Sequence, residues 1–356
     1  MKGLILAGGK GTRLRPFTFT RAKQLLPIAN KPSLYYVVKD IVSAGIDSIG
    51  VIVNPETGGE IKEALGDGSR WGAEFTYIPQ QEPRGLAHAV KTARRFLGDD
   101  PFVMYLGDNL LSGGIRDFVE DYRSGRCDAL ILLTPVDDPQ RFGVAVLDEA
   151  GAVRRLVEKP ADPPSNLALV GVYVFSPAVH EAIATLAPSR RGEYEITDAV
   201  QAMVDGARTV QARLVHGWWK DTGRTEDLLD ANRLVLSRLR RDIRGRVETS
   251  ELVGEVVVEE GASILDSVVR GPVHIAAGAV VERSYVGPYT SVGPNARVVQ
   301  SEVEYSILFS GAEVRNLPHR LDSSVIGQGA VARGAGGGLR KHVARLVLGD
   351  ISHVEI

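Results

Sequence analysis

The chain predicts a two-part protein. An α/β region with a Rossmann-like, mostly parallel sheet is followed by a three-faced parallel β-helix. Three observations lead there. Short apolar strands alternate with helical patterns up to about residue 240, a glycine-rich basic loop follows the first strand, and beyond a linker apolar residues recur at a seventeen-residue interval.

The strands come in order as "GLILA", "SIGVIVN", "AEFTYIP", "FVMYLGD" and "ALILLTP", each mostly apolar. Helical patterns such as "SLYYVVKDIVSAG" and "GLAHAVKTARRFL" lie between them. Continuously apolar strands alternating with helices belong to a parallel sheet covered on both faces. Ligands of such sheets bind beyond the carboxyl ends of the strands. Both the loop "AGGKGTRLRP" after the first strand and "LGDN" after the fourth fall on that rim.

Bare backbone N–H groups in a glycine-rich loop approach an anion closely. A tight turn with a solvated charge cluster would account for the glycines equally well. Two familiar phosphate loops are excluded. The stretch lacks the Gly-Lys-Ser/Thr ending of a P-loop. It also has Leu14 where a dinucleotide fingerprint needs its third glycine, and the second strand ends at Asn54 rather than at an acidic residue.

The helical segment "TEDLLDANRLVLSRLRR" (225–241) links this region to the second. There Val258, Ile264 and Val269 are followed by Ile275, Val281 and Val286, then by Val292, Val298 and Val303. Gly261, Gly278 and Asn295 share one position of the repeat, and Ala262, Ala279 and Ala296 the next. Three inward side chains per repeat, with αL-tolerant residues at a corner, are what a triangular β-helix requires. Phe309 and Ile326 continue the period, although Arg315 and Arg320 then take two apolar positions. "RNLPHR" is expected to bulge from the fourth coil. The tail from Ala335 is glycine-rich, then basic, and ends in a short apolar stretch.

At 356 residues the chain has room for two domains, and we divide it into residues 1–240 and 250–356. A net charge of −2 leaves no footprint for nucleic acid. The single cysteine, Cys127, suits a reducing compartment. The N-terminal apolar run is broken by Gly8 and Gly9, and no stretch is long enough to span a bilayer. A cytoplasmic protein without membrane partners is expected.

Arg13 and Lys23 flank the glycine loop, where they would neutralise a polyphosphate. Asp108 leaves a buried strand, where an uncompensated carboxylate is costly. Asp221 lies between aromatics and a glycine. Two carboxylates beside a polyphosphate cradle point to a hard cation such as Mg²⁺. Either aspartate alone would equally serve as a turn or N-cap residue.

"GGKGTRLRP", "KQLLP", "LGDN", "VEKP", "RGEYEITD" and "WWKDTG" occur in the order expected of sugar-1-phosphate nucleotidylyltransferases, and the chain resembles that family over essentially its whole length. The nearest likeness is to the long glucose-1-phosphate thymidylyltransferases that carry a C-terminal left-handed β-helix. The resemblance implies a Mg²⁺-dependent reaction of dTTP with glucose 1-phosphate, giving dTDP-glucose and pyrophosphate. It implies that Leu6, Gly8, Gly9, Gly11, Thr12, Gln80, Pro83 and Gly85 bind the nucleotide, with Arg13, Lys23 and Asp108 catalytic. Gly143, Glu158, Lys159, Val170 and Arg191 would hold the sugar phosphate, and Asp108 and Asp221 the metal. Trp219 reads foremost as packing. Short members of the family commonly have glutamine where this chain has His88.

The rivals differ in base or sugar, a uridylyltransferase among them. A bifunctional acyltransferase would use His274 or His319 as a base. A non-catalytic sugar-nucleotide sensor should have lost Arg13, Lys23 or one of the aspartates, and all four are present. None of the six motifs lies beyond Gly223, so the second half is expected to assemble or stabilise a homo-oligomer without sharing in the chemistry. Its end coils should be covered by the linker helix, the tail or another subunit.

Overall fold

The computed structural model of the chain describes residues 1–334 and 343–355. It falls into two compact units. The first comprises Met1–Lys10 and Ser33–Asp221, and the second Gly11–Pro32 and Thr222–Ile356. The boundary expected near residue 240 marks the change of repeat, whereas these units are cut at other places.

In the first unit the strand Lys2–Leu6 lies at the centre of a nine-stranded sheet. It is parallel to Ser48–Val53 on one side and to Phe102–Leu106 on the other, and Glu74–Pro79 extends the parallel run. These are four of the five strands expected. The fifth, Ala129–Pro135, pairs antiparallel with Leu167–Phe175, which is also antiparallel to Phe102–Leu106. Eight of the nine residues in Leu167–Phe175 are buried, as a strand covered on both faces requires. Helix Ser33–Ser43 buries Leu34, Val37, Val38 and Ile41, one stripe at helical spacing. Ile41 sits where a Cβ on Gly3 would touch it, so this helix covers the Gly3 face of the sheet. The opposite face, with Leu4, Leu6 and Met104, packs with Ala87, Val90, Ile196 and Val200. The expected helix "GLAHAVKTARRFL" is divided into Leu86–Thr92 and Arg94–Leu97.

The second unit is a left-handed parallel β-helix with additions. Among the described residues its three faces hold seven, seven and six strands. The seventeen-residue step is explicit in the register: Val258 pairs with Ile275, Ile264 with Val281, Val269 with Val286. Val256, Val258, Ile264, Val269 and their successors form one buried stack. Gly261, Gly278, Asn295, Gly311 and Gly329 all take positive φ at the same corner. At a second corner Ser267, Ser284 and Ser301 form a ladder, each backbone N–H donating to the hydroxyl one coil before.

Two expectations for the later coils are corrected. Val292 pairs with Leu308, not Phe309, because one residue is missing from that coil. Val314 and Leu321 therefore fill the inward positions assigned to Arg315 and Arg320. The lost register is recovered at the bulge: four residues, Asn316 to His319, separate strands that two residues separate one coil earlier. The apolar tail proves to be the last coil, with Val343–Ala344, Val347–Leu348 and His353–Glu355 extending the three faces. The glycine-rich and basic part of the tail, 335–342, lies outside the described residues.

The linker helix is shorter than expected, Thr225–Leu236, and does not cover an end. It lies along the flank of the coils, where Asp230 accepts from the Tyr305 hydroxyl at 3.0 Å and Arg345 pairs with Glu226 at 2.8 Å.

Candidate active site

In the first unit the rim is built from strand ends. Strand Lys2–Leu6 ends at Leu6, whose carbonyl accepts from Gly107 N–H at 3.0 Å, and runs into buried Gly8 and exposed Gly9. Gly8 O accepts from the Asn54 side-chain amide at 3.2 Å, and Asn54 Oδ1 accepts from Thr57 N–H at 2.7 Å. A Cβ on Gly8 would lie 3.3 Å from Gln80 Oε1, so a side chain there would crowd Gln80.

Gln80 is buried, and its amide nitrogen faces His88 Nδ1 at 2.9 Å and Gly85 O at 3.4 Å. Burial, then the charges of Arg84 and Lys91, lower the His88 pKa, which favours a neutral ring that accepts at Nδ1. The amide is thereby oriented with its oxygen toward Gly8. Gly85 has φ 104°, and a side chain there would run into the Tyr194 backbone. That glycine is thus required by packing. Pro83 is exposed on the preceding turn.

Asp108 is buried, and Asn109 beside it acts as a hub. The Asn109 amide donates to Asp108 Oδ1 at 3.2 Å, while its oxygen accepts from Trp219 Nε1 at 2.7 Å and Gly171 N–H at 3.2 Å. Strands Asn109–Leu111 and Trp219–Asp221 form an antiparallel ribbon whose register sets Asp221 opposite Asn109. The two aspartates expected to hold a cation therefore lie at neighbouring positions of one ribbon. Trp219 does more than pack. It contacts Phe142 edge-on at 5.2 Å and also locks the hub.

The residues expected to hold the sugar phosphate gather elsewhere in the same unit. Gly143 pairs with Glu158 across two antiparallel strands, and a Cβ on it would lie 3.0 Å from Glu158 Oε2. Glu158 accepts from Thr197 at 3.1 Å and from Arg191 at 3.2 Å, with Lys159 Nζ at 3.4 Å. Arg191 also binds Glu193 and Glu195. Burial, then repulsion from Glu158, raises the pKa of both Glu195 and Asp198. Two exposed cations, Lys159 and Arg191, thus stand among carboxylates. Val170 is fully buried and belongs to the core.

The remaining loop residues belong to the second unit. Gly11, with φ 63°, packs so tightly on Lys23 that a Cβ would lie 2.8 Å from the lysine Cβ. Gly11 O accepts from the Thr18 hydroxyl at 2.8 Å. Thr12 and Arg13 open the short turn Thr12–Leu14 and are exposed. Arg13 has no ion-pair partner among the described residues.

His274 is not placed to act as an acyl-transfer base. It is buried, and its ring nitrogens face Ala29 O and Glu259. His319 lies in the bulge, half-buried.

A glycine-rich loop after a central parallel strand, with paired carboxylates on the same rim, is the arrangement of a nucleotidyltransferase. Residues 2–238 match the family model described as Nucleotidyl transferase, and the chain belongs to that family. Over its whole length it is similar to two glucose-1-phosphate thymidylyltransferases. The protein from Streptomyces griseus is 51% identical over 357 residues, covering 100% of this chain and 99% of that one. The protein from Streptomyces antibioticus is 50% identical over 358 residues, again 100% and 99%. Among solved structures, a UDP-glucose pyrophosphorylase complexed with UDP-glucose superposes with TM-score 0.61 at 27% identity, covering 67% of this chain and 98% of that one.

Sequence reading passed over Asn109, Asn54 and Thr197, which orient the assigned residues without being assigned themselves. Asn109 lay inside "LGDN", and a polar residue at the head of the otherwise apolar strand Asn109–Leu111 was the available signal.

Proposed function

We propose that the protein is a glucose-1-phosphate thymidylyltransferase. An oxygen of the glucose 1-phosphate phosphate attacks the α-phosphorus of dTTP, and pyrophosphate leaves as dTDP-glucose forms. The observation that carries the choice of base and sugar is identity of about half over the full length of both Streptomyces enzymes.

On this reading backbone N–H groups of the loop Gly8, Gly9, Gly11 and Thr12 receive the triphosphate, and Arg13 with Lys23 stabilises charge on the departing pyrophosphate. Leu6 and Gln80 meet the nucleoside, with Pro83 and Gly85 shaping the turn beside it. Glu158 takes a sugar hydroxyl, Lys159 and Arg191 the sugar phosphate, and Gly143 and Val170 border the sugar pocket. The donor set fits Mg²⁺. Asp108 and Asp221 supply hard oxygen ligands, and among the described residues no cluster of three or more His, Cys, Asp or Glu would close a shell without substrate. Bound there, Mg²⁺ would neutralise phosphate charge. We place the activity in residues 1–240, with residues 250–356 as the β-helix domain, in a cytoplasmic homo-oligomer. No helix among the described residues is long and apolar enough to cross a membrane.

The test is a matrix of dTTP, UTP, ATP and GTP against glucose 1-phosphate and other sugar 1-phosphates, scored by kcat/KM from pyrophosphate release. dTTP with glucose 1-phosphate should lead. A lead for UTP would favour uridylyl transfer, the activity named for a Haloferax volcanii relative 38% identical over 64% of this chain. No release with any pair would remove the enzymatic reading.

A further inference from the structure

Residues 11–32 carry Arg13 and Lys23, yet they have little structure of their own. They contain three single-turn 3₁₀ helices and one hairpin of two-residue strands, Pro27–Ile28 with Lys31–Pro32. A segment of this kind keeps a fixed shape only if something else holds it. The second unit holds it at three places.

The first anchor is apolar. Phe17 is fully buried with its ring 5.4 Å from that of Phe309, and Pro16 packs where a Cβ on Gly349 would lie. Phe309 is the residue displaced from the inward stack by the missing residue of its coil, so the register slip frees this ring for Phe17. The second anchor is Asp350, which accepts from the Thr20 hydroxyl at 2.7 Å and from Arg21 at 3.3 Å.

The third anchor is a polar socket for the hairpin turn, where Ala29 and Asn30 both take positive φ. Ala29 N–H donates to Asn232 Oδ1 at 2.8 Å. The Asn30 amide donates to His274 O at 3.2 Å and Val292 O at 3.1 Å. His274 Nδ1 faces Ala29 O at 3.2 Å, and its Nε2 faces Glu259 Oε1 at 2.9 Å. Asn232 is completely buried and also binds Ser291 and Tyr289 O. Buried amides and imidazoles are costly to leave unpaired, and here their partners come from the linker helix, the coils and the loop together.

Lys23 lies between the second and third anchors, and Arg13 just before the first. We propose that Asn232, His274 and Asp350 are positioning residues for the transfer reaction: the coils hold the segment from which Arg13 and Lys23 act. The kinetic part rests on the nucleotidyltransferase reading above. A displacement of about 1 Å in such a group costs on the order of 100-fold in rate.

The test uses full-length Asn30→Gly, Asn232→Ala and His274→Ala. Asn30→Gly tolerates the positive φ and removes only the two amide bonds, so it guards against loss of the fold. Hydrogen exchange of peptides from 11–32 is compared with that of 2–6 and 102–106, and kcat and KM are measured with Mg²⁺, dTTP and glucose 1-phosphate. Exchange should quicken at least about tenfold in 11–32 and stay unchanged in the two strands. kcat should fall about tenfold or more, with KM for glucose 1-phosphate within about twofold. Unchanged exchange in 11–32, or faster exchange with unchanged kcat, overturns the proposal. A wild-type protein inactive with this pair counts against the functional reading instead, and the exchange of 11–32 then decides the docking by itself.

Discussion

Asp221 ends one strand of a two-stranded ribbon opposite Asn109, and Asp108 immediately precedes Asn109 in the chain. Asp108→Asn and Asp221→Asn should fold normally and lose on the order of 100- to 1,000-fold in kcat with Mg²⁺. Near-normal turnover in either would end the metal assignment. Arg13→Lys keeps the charge but replaces a planar fork with a point, so it should remain severely impaired, and recovery of most of the activity would show that only charge is used. Asp40 gives a prediction about stability. Burial raises its pKa from an ordinary 3.8 to about 6, against the opposing effects of the Tyr105 hydrogen bond and Lys39. Its folded pKa lies above the unfolded one, so its favourable contribution is complete below about 3.8 and disappears as pH rises through about 6. Asp40→Asn should then be more stable than wild type at about pH 8, by up to about 3 kcal/mol, and no more stable near pH 4, as denaturant titrations at the two pH values would show. The side chains proposed to meet ligand stood out as candidates because phosphate and metal chemistry restricts residue type. Asn109 and His88 did not, since they act by orienting a neighbour, and such a role depends on where two distant strands meet.

Among the elements, the coils were the most legible, because one inward residue per strand at a fixed interval has no other explanation. The reading failed at a single point. A strict interval assigned Phe309, Arg315 and Arg320 to inward positions that Leu308, Val314 and Leu321 occupy. A coil one residue short changes nothing in composition, and only hydrogen-bond register reveals it. The serine ladder at the corner carries its own prediction. Ser284 Oγ accepts from Ser301 N–H at 3.2 Å and donates to Glu282 O at 2.7 Å, both in the interior of the stack. Ser284→Ala leaves a buried N–H without its acceptor and should cost about 1–3 kcal/mol, read as a lowered Tm with kcat unchanged. An unaltered Tm would mean that water replaces the hydroxyl.

For the whole molecule, the grouping of residues 11–32 with the coils sets the proposed positioning role against the expectation that the coils take no part in the chemistry. No periodicity announces that an early loop will rest on late coils, since the contacts are single side chains hundreds of positions apart. A chain ended at Arg240 should accordingly lose most of its pyrophosphate release, not merely change mass. Turnover within about tenfold of the full chain would return the coils to a purely assembling role. The matched UDP-glucose pyrophosphorylase structure reaches 98% of its own length over 67% of this chain.

The same anchoring sets an order of events during synthesis. Thr20 leaves the ribosome early, while its partner Asp350 follows 330 residues later. At roughly 5–20 residues per second, that is a wait of roughly 15 to 70 seconds. Through that interval the nascent sheet can close around its own strands, but Arg13 and Lys23 have no platform. On the proposed docking, the segment that carries Arg13 and Lys23 is fixed only after Asp350 has emerged.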